Sequence, residues 1–90
     1  MITAADQAYF SYYGLDRVRA KGYTGEGVTV AMIDGPVDTS VPELKGANIT
    51  VKTPCTINSS PAVETHGTGV ASVLVSADYG VAPKVSLLAY

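Results

Sequence analysis

Asp34 and His66 are the two residues whose types and surroundings best suit chemistry in this chain, which has a single histidine. Asp34 closes an apolar run, Val28-Thr29-Val30-Ala31-Met32-Ile33. Such a run reads as a buried strand that delivers its aspartate to the C-terminal end. His66 lies in Glu64-Thr65-His66-Gly67-Thr68-Gly69-Val70-Ala71. That segment reads as a helix start, with Thr65 as its cap and the histidine in its first turn. An acid at a strand end and an imidazole at a helix end can meet across the top of a parallel sheet. A carboxylate on one ring nitrogen fixes the imidazole's proton and orientation, which prepares a general base for nucleophilic catalysis. No obvious nucleophile accompanies the pair. Ser72 and Ser76 are on the histidine's own predicted helix, and Ser72 is turned well away from His66.

The elements that must position this pair follow from apolar patterning. The β-branched run over 28–33 predicts a strand inside a parallel sheet, away from the sheet edge. Residues 47–51 predict a second strand, and 85–90 a third that runs to the last residue. A helix is predicted over 66–76, where Val70, Ala71, Val73, Leu74 and Val75 cover most of the circumference, so burial on more than one side is expected. Residues 52–63, with two prolines and several small polar residues, read as an irregular connection. Earlier, residues 4–13 predict a short helix that Thr3 could cap, with Tyr9, Phe10, Tyr12 and Tyr13 as its sticky side. Leu15 to Lys21 predicts another, ended by Gly22. Pro42-Glu43-Leu44 reads as a turn anchored by Leu44. The fold class is α/β: three layers with a mostly parallel sheet.

Composition narrows the function classes. The chain is 47% apolar and 16% charged, with net charge -2, which describes a globular rather than a disordered polypeptide. No basic block exists; Arg17, Arg19 and Lys21 read as complementing a helix C-terminus. Nucleic acid is excluded as a partner, because phosphate binding needs a concentrated positive field. No apolar stretch approaches the roughly 20 residues of a membrane span. No leader pattern opens the chain, so a signal peptide is expected to be absent or already removed. Cys55 is the sole cysteine and forms no disulfide within the chain. The glycine-rich stretch from Gly22 to Gly27 precedes its strand instead of following it, so it fails as a nucleotide loop.

Residue types alone leave several readings of Asp34 and His66 open. They could be an unrelated strand-end acid and a satisfied helix histidine. Asp34, Asp38, Glu64 and His66 are all metal-ligand types, although no His-Glu-x-x-His or paired-cysteine pattern occurs. Asp34 with Asp38 four residues on also suits an aspartate nucleophile, which leaves His66-Gly67-Thr68 without a role.

Four spaced segments, however, resemble the subtilisin-like serine protease family. Tyr13-Gly14-Leu15 with Gly22-Tyr23-Thr24-Gly25-Glu26-Gly27 and the following strand resemble the family's entry segment. Asp34, followed by Val37-Asp38 and Pro42-Glu43-Leu44, resembles the catalytic aspartate motif. His66-Gly67-Thr68 with Val70-Ala71 resembles the catalytic histidine motif. Gly80-Val81-Ala82-Pro83 and Leu87 resemble the next turn and strand. The resemblance spans about residue 12 to Tyr90.

It implies that residues 1–90 are the N-terminal portion of a subtilisin-like peptidase domain. Asp34 and His66 would be its catalytic residues, acting in a serine endopeptidase on polypeptide substrates. The attacking serine and the oxyanion donor would lie beyond Tyr90. The partner implied is therefore the C-terminal portion of the same domain, as a separate chain or a lost segment, and the 90 residues alone are expected to be inactive. The alternative is a truncated subtilisin-like module that only binds or scaffolds. The resemblance also implies a secreted or otherwise extracytoplasmic setting and allows an inhibitory pro-segment. No cofactor is expected; a structural calcium ion in the complete domain is allowed, with Glu43 as an acidic ligand. Three departures stand out. Gly35-Pro36 replaces the usual Ser or Thr followed by Gly. Gly69 stands where histidine is frequent. The connection from Ser76 to Gly80 is short.

Overall fold

A computed structural model describes residues 8–52 and 60–90. The expected cap Thr3 and the lone Cys55 lie outside the described residues. In chain order the elements are α1 (Tyr9–Tyr12), α2 (Leu15–Ala20), β1 (Thr29–Met32), a 3-10 turn (Pro42–Leu44), β2 (Asn48–Val51), α3 (Pro61–Val75) and β3 (Ser86–Ala89). The architecture is α/β, with a three-stranded parallel sheet flanked by helices.

The sheet order is β1-β3-β2, so the last strand sits between the first two. Thr29 pairs with Ser86 and Met32 with Ala89 on one side; Asn48 and Val51 pair with the same two residues on the other. Partnered residues of parallel strands point to the same face. Val30, Ile49 and Leu87 therefore form one row, and Met32, Val51 and Ala89 another. This face packs against α3. Met32, Leu44, Ala71, Val75, Val85 and Leu87 form the buried cluster, with Leu87 wholly enclosed. The opposite face carries Thr29, Ala31, Asn48 and Thr50, all exposed, with Ser86 and Leu88 between them half-buried.

The expectation that residues 28–33 form a sheet-interior strand is overturned. Among the described residues β1 is an edge strand, and Ile33 is 88% exposed. Apolar composition reports how much surface a strand can bury. It carries no information on which strand becomes its neighbour, and here β3 takes the centre.

The expected helix over 66–76 also needs correction. It starts at Pro61, with Ser60 as cap; the Ser60 hydroxyl accepts the Val63 N–H at 3.3 Å. Proline suits the first helical position because its missing N–H would have no intrahelical partner there. Ser60-Pro61 is thus a start signal inside a stretch whose polar composition suggests a loop. Thr65 is not a cap: its hydroxyl donates to the Pro61 carbonyl one turn back at 2.8 Å. His66 consequently occupies the second turn. Burial of this helix is one-sided among the described residues, through Gly67, Ala71, Ser72 and Val75, while Val63 and Val70 stay exposed.

Arg19 has a larger role than complementing its own helix. Its guanidinium donates to the carbonyls of Ser76, Ala77 and Gly80 at 3.0–3.3 Å, closing the C-terminal end of α3. The same group lies over the Phe10 ring at 5.4 Å. This clamp joins residues about 60 positions apart, and no local pattern announces it.

Candidate active site

β1 ends at Met32, and the chain is held there by the Tyr90 N–H, which donates to the Met32 carbonyl at 2.9 Å. Two residues later Asp34 emerges at the C-terminal end of the sheet. α3 brings His66 to the same place. His66 Nδ1 lies 3.0 Å from Asp34 Oδ1. The two residues singled out by type and spacing are therefore hydrogen-bonded across 32 positions of sequence. The imidazole is 71% exposed and the aspartate side chain 21% exposed. With Nδ1 turned to the carboxylate, the ring's other nitrogen is free for an incoming group.

Asp34 Oδ1 also accepts the Gly35 N–H at 2.5 Å. That backbone bond, and secondly the bond from His66, hold the Asp34 carboxyl below the usual carboxylate range. Both favour the charged form. Gly35 is thus a site residue through its amide, a contribution no side-chain pattern reveals.

Two glycines let the loop and the helix approach closely enough for this contact. A Cβ on Gly67 would overlap the carbonyl oxygens of Gly35 and Pro36. One on Gly35 would overlap Val63, whose Cγ1 would lie 2.6 Å away. The element that approaches Gly67 is the loop bearing Asp34. On the same turn of helix, Thr68 Oγ1 accepts the Asp38 N–H at 2.9 Å, from the far end of that loop.

The remaining sequence candidates lie elsewhere. Asp38 is tied to Ser40, whose hydroxyl and then amide lower the Asp38 carboxyl's pKa. A pocket of about 250 Å³ lies between the 38–43 segment and α3, lined by Asp38, Glu43, Glu64, Thr68 and Gly69 among others, but by neither Asp34 nor His66. Among the described residues no three His, Cys, Asp or Glu side chains converge to hold a metal ion. Ser72 is buried and donates to the Gly69 carbonyl at 2.7 Å; Ser76 is buried as well. Neither hydroxyl is available to attack a substrate.

Comparison with known proteins gives a consistent set of relatives. Over 87 aligned residues the chain is 34% identical to subtilisin E of Bacillus subtilis (strain 168), covering 86% of this chain and 23% of that protein. It is 33% identical to subtilisin J of Geobacillus stearothermophilus over the same shares. It is also 33% identical to a subtilisin of Bacillus pumilus, covering 86% of this chain and 32% of that protein. The chain thus spans a third or less of the length of these curated relatives. No family model matches it.

Proposed function

From the premise that this chain is subtilisin-like over most of its length, we propose that it supplies the aspartate and histidine of an Asp-His-Ser endopeptidase. The single observation that carries this reading is the 3.0 Å bond between His66 Nδ1 and Asp34 Oδ1. Residues 1–90 then form the N-terminal portion of the peptidase domain. The serine and the oxyanion donors come from further polypeptide of that domain.

In this scheme the His66 Nδ1–H donates a hydrogen bond to the Asp34 carboxylate and keeps its proton, which leaves the Nε2 lone pair facing solvent. Nε2 removes the proton of the serine hydroxyl as the serine oxygen attacks the peptide carbonyl carbon. The imidazolium that forms is stabilised by Asp34. Nε2–H then protonates the departing amine, and the peptide C–N bond breaks to leave an acyl-serine. Water, deprotonated by the same nitrogen, attacks that ester; the proton returns to the serine and the acid product leaves. Asp34 remains ionised throughout, consistent with the bonds that hold its carboxyl below the usual range. Oxyanion stabilisation is a large part of such catalysis, and its donors would again lie outside these 90 residues.

Polypeptides are the proposed substrates and the remainder of the domain is the proposed partner. The proposed setting is extracytoplasmic. The competing assignment, a binding or scaffold module without turnover, is favoured only by the absence of a usable serine among the described residues.

The test is hydrolysis of an unstructured protein substrate by the full-length protein. A serine-directed phosphonate probe should label a residue outside this chain. His66→Ala should abolish most turnover. Asp34→Ala should lower kcat by several orders of magnitude, roughly 10⁴-fold in the triad template. Full activity retained in either variant would sink the endopeptidase reading. A folded full-length protein with neither turnover nor probe labelling would favour the scaffold.

A further inference from the structure

We infer that Thr68 is a positioning residue for the Asp34–His66 pair, pinning the loop that carries Asp34 to the helix that carries His66 through the Asp38 amide. The inference rests on the proposed roles of Asp34 and His66. Its spectroscopic readouts, however, do not depend on turnover.

Asp34 is poorly anchored by its own side chain. Oδ1 takes both of its bonds, from Gly35 and from His66. Among the described residues Oδ2 takes none. Where the carboxylate sits is therefore decided by the backbone of residues 34–38. Apart from the Asp34–His66 bond itself, that segment meets α3 in two ways among the described residues. One is the close approach of Gly35 and Pro36 to Gly67. Such a contact limits how near the loop comes, yet it does not fix how far the loop slides along the helix. The other is directional: the Asp38 N–H donates to Thr68 Oγ1 at 2.9 Å.

Thr68 is two residues beyond His66, so this bond registers the loop against the same turn of helix that holds the imidazole. The donor end is itself rigid. The Asp38 carboxylate accepts both the amide and the hydroxyl of Ser40, which closes a small turn around the amide in question. Besides the Asp34–His66 bond itself, loop and helix share this one directional link among the described residues, and it spans 30 residues of sequence. Removing the Thr68 hydroxyl should let the loop drift relative to His66. A misplacement of about 1 Å near reacting groups is costly, up to roughly a hundredfold in rate. Binding of substrate is expected to be unaffected, because the proposed role of Thr68 runs through the loop that carries Asp34.

The experiment compares Thr68→Val and Thr68→Ser in the full-length protein. Thr68→Val keeps the shape and removes the acceptor, so kcat should fall roughly tenfold with KM unchanged. The Asp34 carboxyl should titrate closer to the ordinary range, and the Asp38 amide should lose protection from hydrogen exchange. Thr68→Ser should restore all three towards wild type. Unchanged kcat and unchanged Asp34 titration in Thr68→Val would overturn the inference. So would equal losses in both variants, because the acceptor is retained in one. If Thr68→Val does not fold, wild-type exchange decides the matter: an Asp38 amide that exchanges as freely as an unstructured one overturns it, and a protected amide whose protection survives in Thr68→Ser supports it. Failure of the endopeptidase reading would show separately, as undiminished hydrolysis by His66→Ala.

Discussion

Asp34 concentrates two hydrogen bonds on one oxygen, and that asymmetry has a consequence for pH. The Gly35 amide is the larger cause of its lowered pKa and the His66 ring the second; partial desolvation opposes both. A carboxyl with a depressed folded-state pKa contributes stability that is fully present above its unfolded value. The contribution is lost as pH falls through the lower folded value. Direct titration of the Asp34 carboxyl by NMR should therefore give a midpoint below the ordinary carboxylate range. In His66→Ala the midpoint should rise and yet stay depressed, because the Gly35 bond remains. A complete return to the ordinary value in that variant would show that the backbone bond is not the main cause.

At the scale of elements, the site exists because a loop and a helix come into backbone contact. Gly67 lies mid-helix, where glycine costs roughly 1 kcal/mol relative to alanine. By helix propensity alone, Gly67→Ala should stabilise α3. The Cβ would instead collide with the Gly35 and Pro36 carbonyls, which are backbone and cannot swing aside. Gly67→Ala is expected to destabilise the fold by about 1–3 kcal/mol, in the range of overpacking, and to weaken the Asp34–His66 bond. Gly69→Ala is the internal control. Nothing lies within 4 Å of a Cβ there, so the same substitution should be neutral or mildly stabilising. Thermal denaturation of the two variants side by side checks the pair; equal midpoints would mean that the loop does not press on Gly67.

Viewed as a whole molecule, the chain leaves much apolar surface uncovered. Among the described residues Val28, Ile33 and Val51 are more than half exposed, and β1 offers a free parallel edge. Parallel sheets are ordinarily covered on both faces, whereas the row of Thr29, Ala31, Asn48 and Thr50 is exposed here. We expect the native protein to contain further polypeptide along β1 and over that face. Intact mass and copurifying chains of native material test this. Amide exchange adds a local readout: alternate amides of β1 should exchange quickly in the 90-residue chain and slowly in the complete protein. A monodisperse 90-residue monomer that melts cooperatively, with no companion polypeptide, would falsify the expectation.

The parallel α/β class and the approximate strands were legible in local patterning, because strand and helix periodicities are local properties. Asp34 and His66 were legible as candidates by type, and their pairing followed from the four spaced segments that resemble the subtilisin-like family. The rest depended on how the chain packs. That β3 would divide β1 from β2, leaving an apolar run at the edge, depends on competition among strands, which composition does not encode. The start of α3 at Pro61 was present in Ser60-Pro61 but masked by the polar residues around it; as a result His66 sits a turn deeper than its motif suggests. Arg19 on the carbonyls that end α3, and Thr68 on the Asp38 amide, join residues 30 to about 60 positions apart. A hydrogen bond of that span depends on where two backbones come to rest, and only packing of the whole chain sets that.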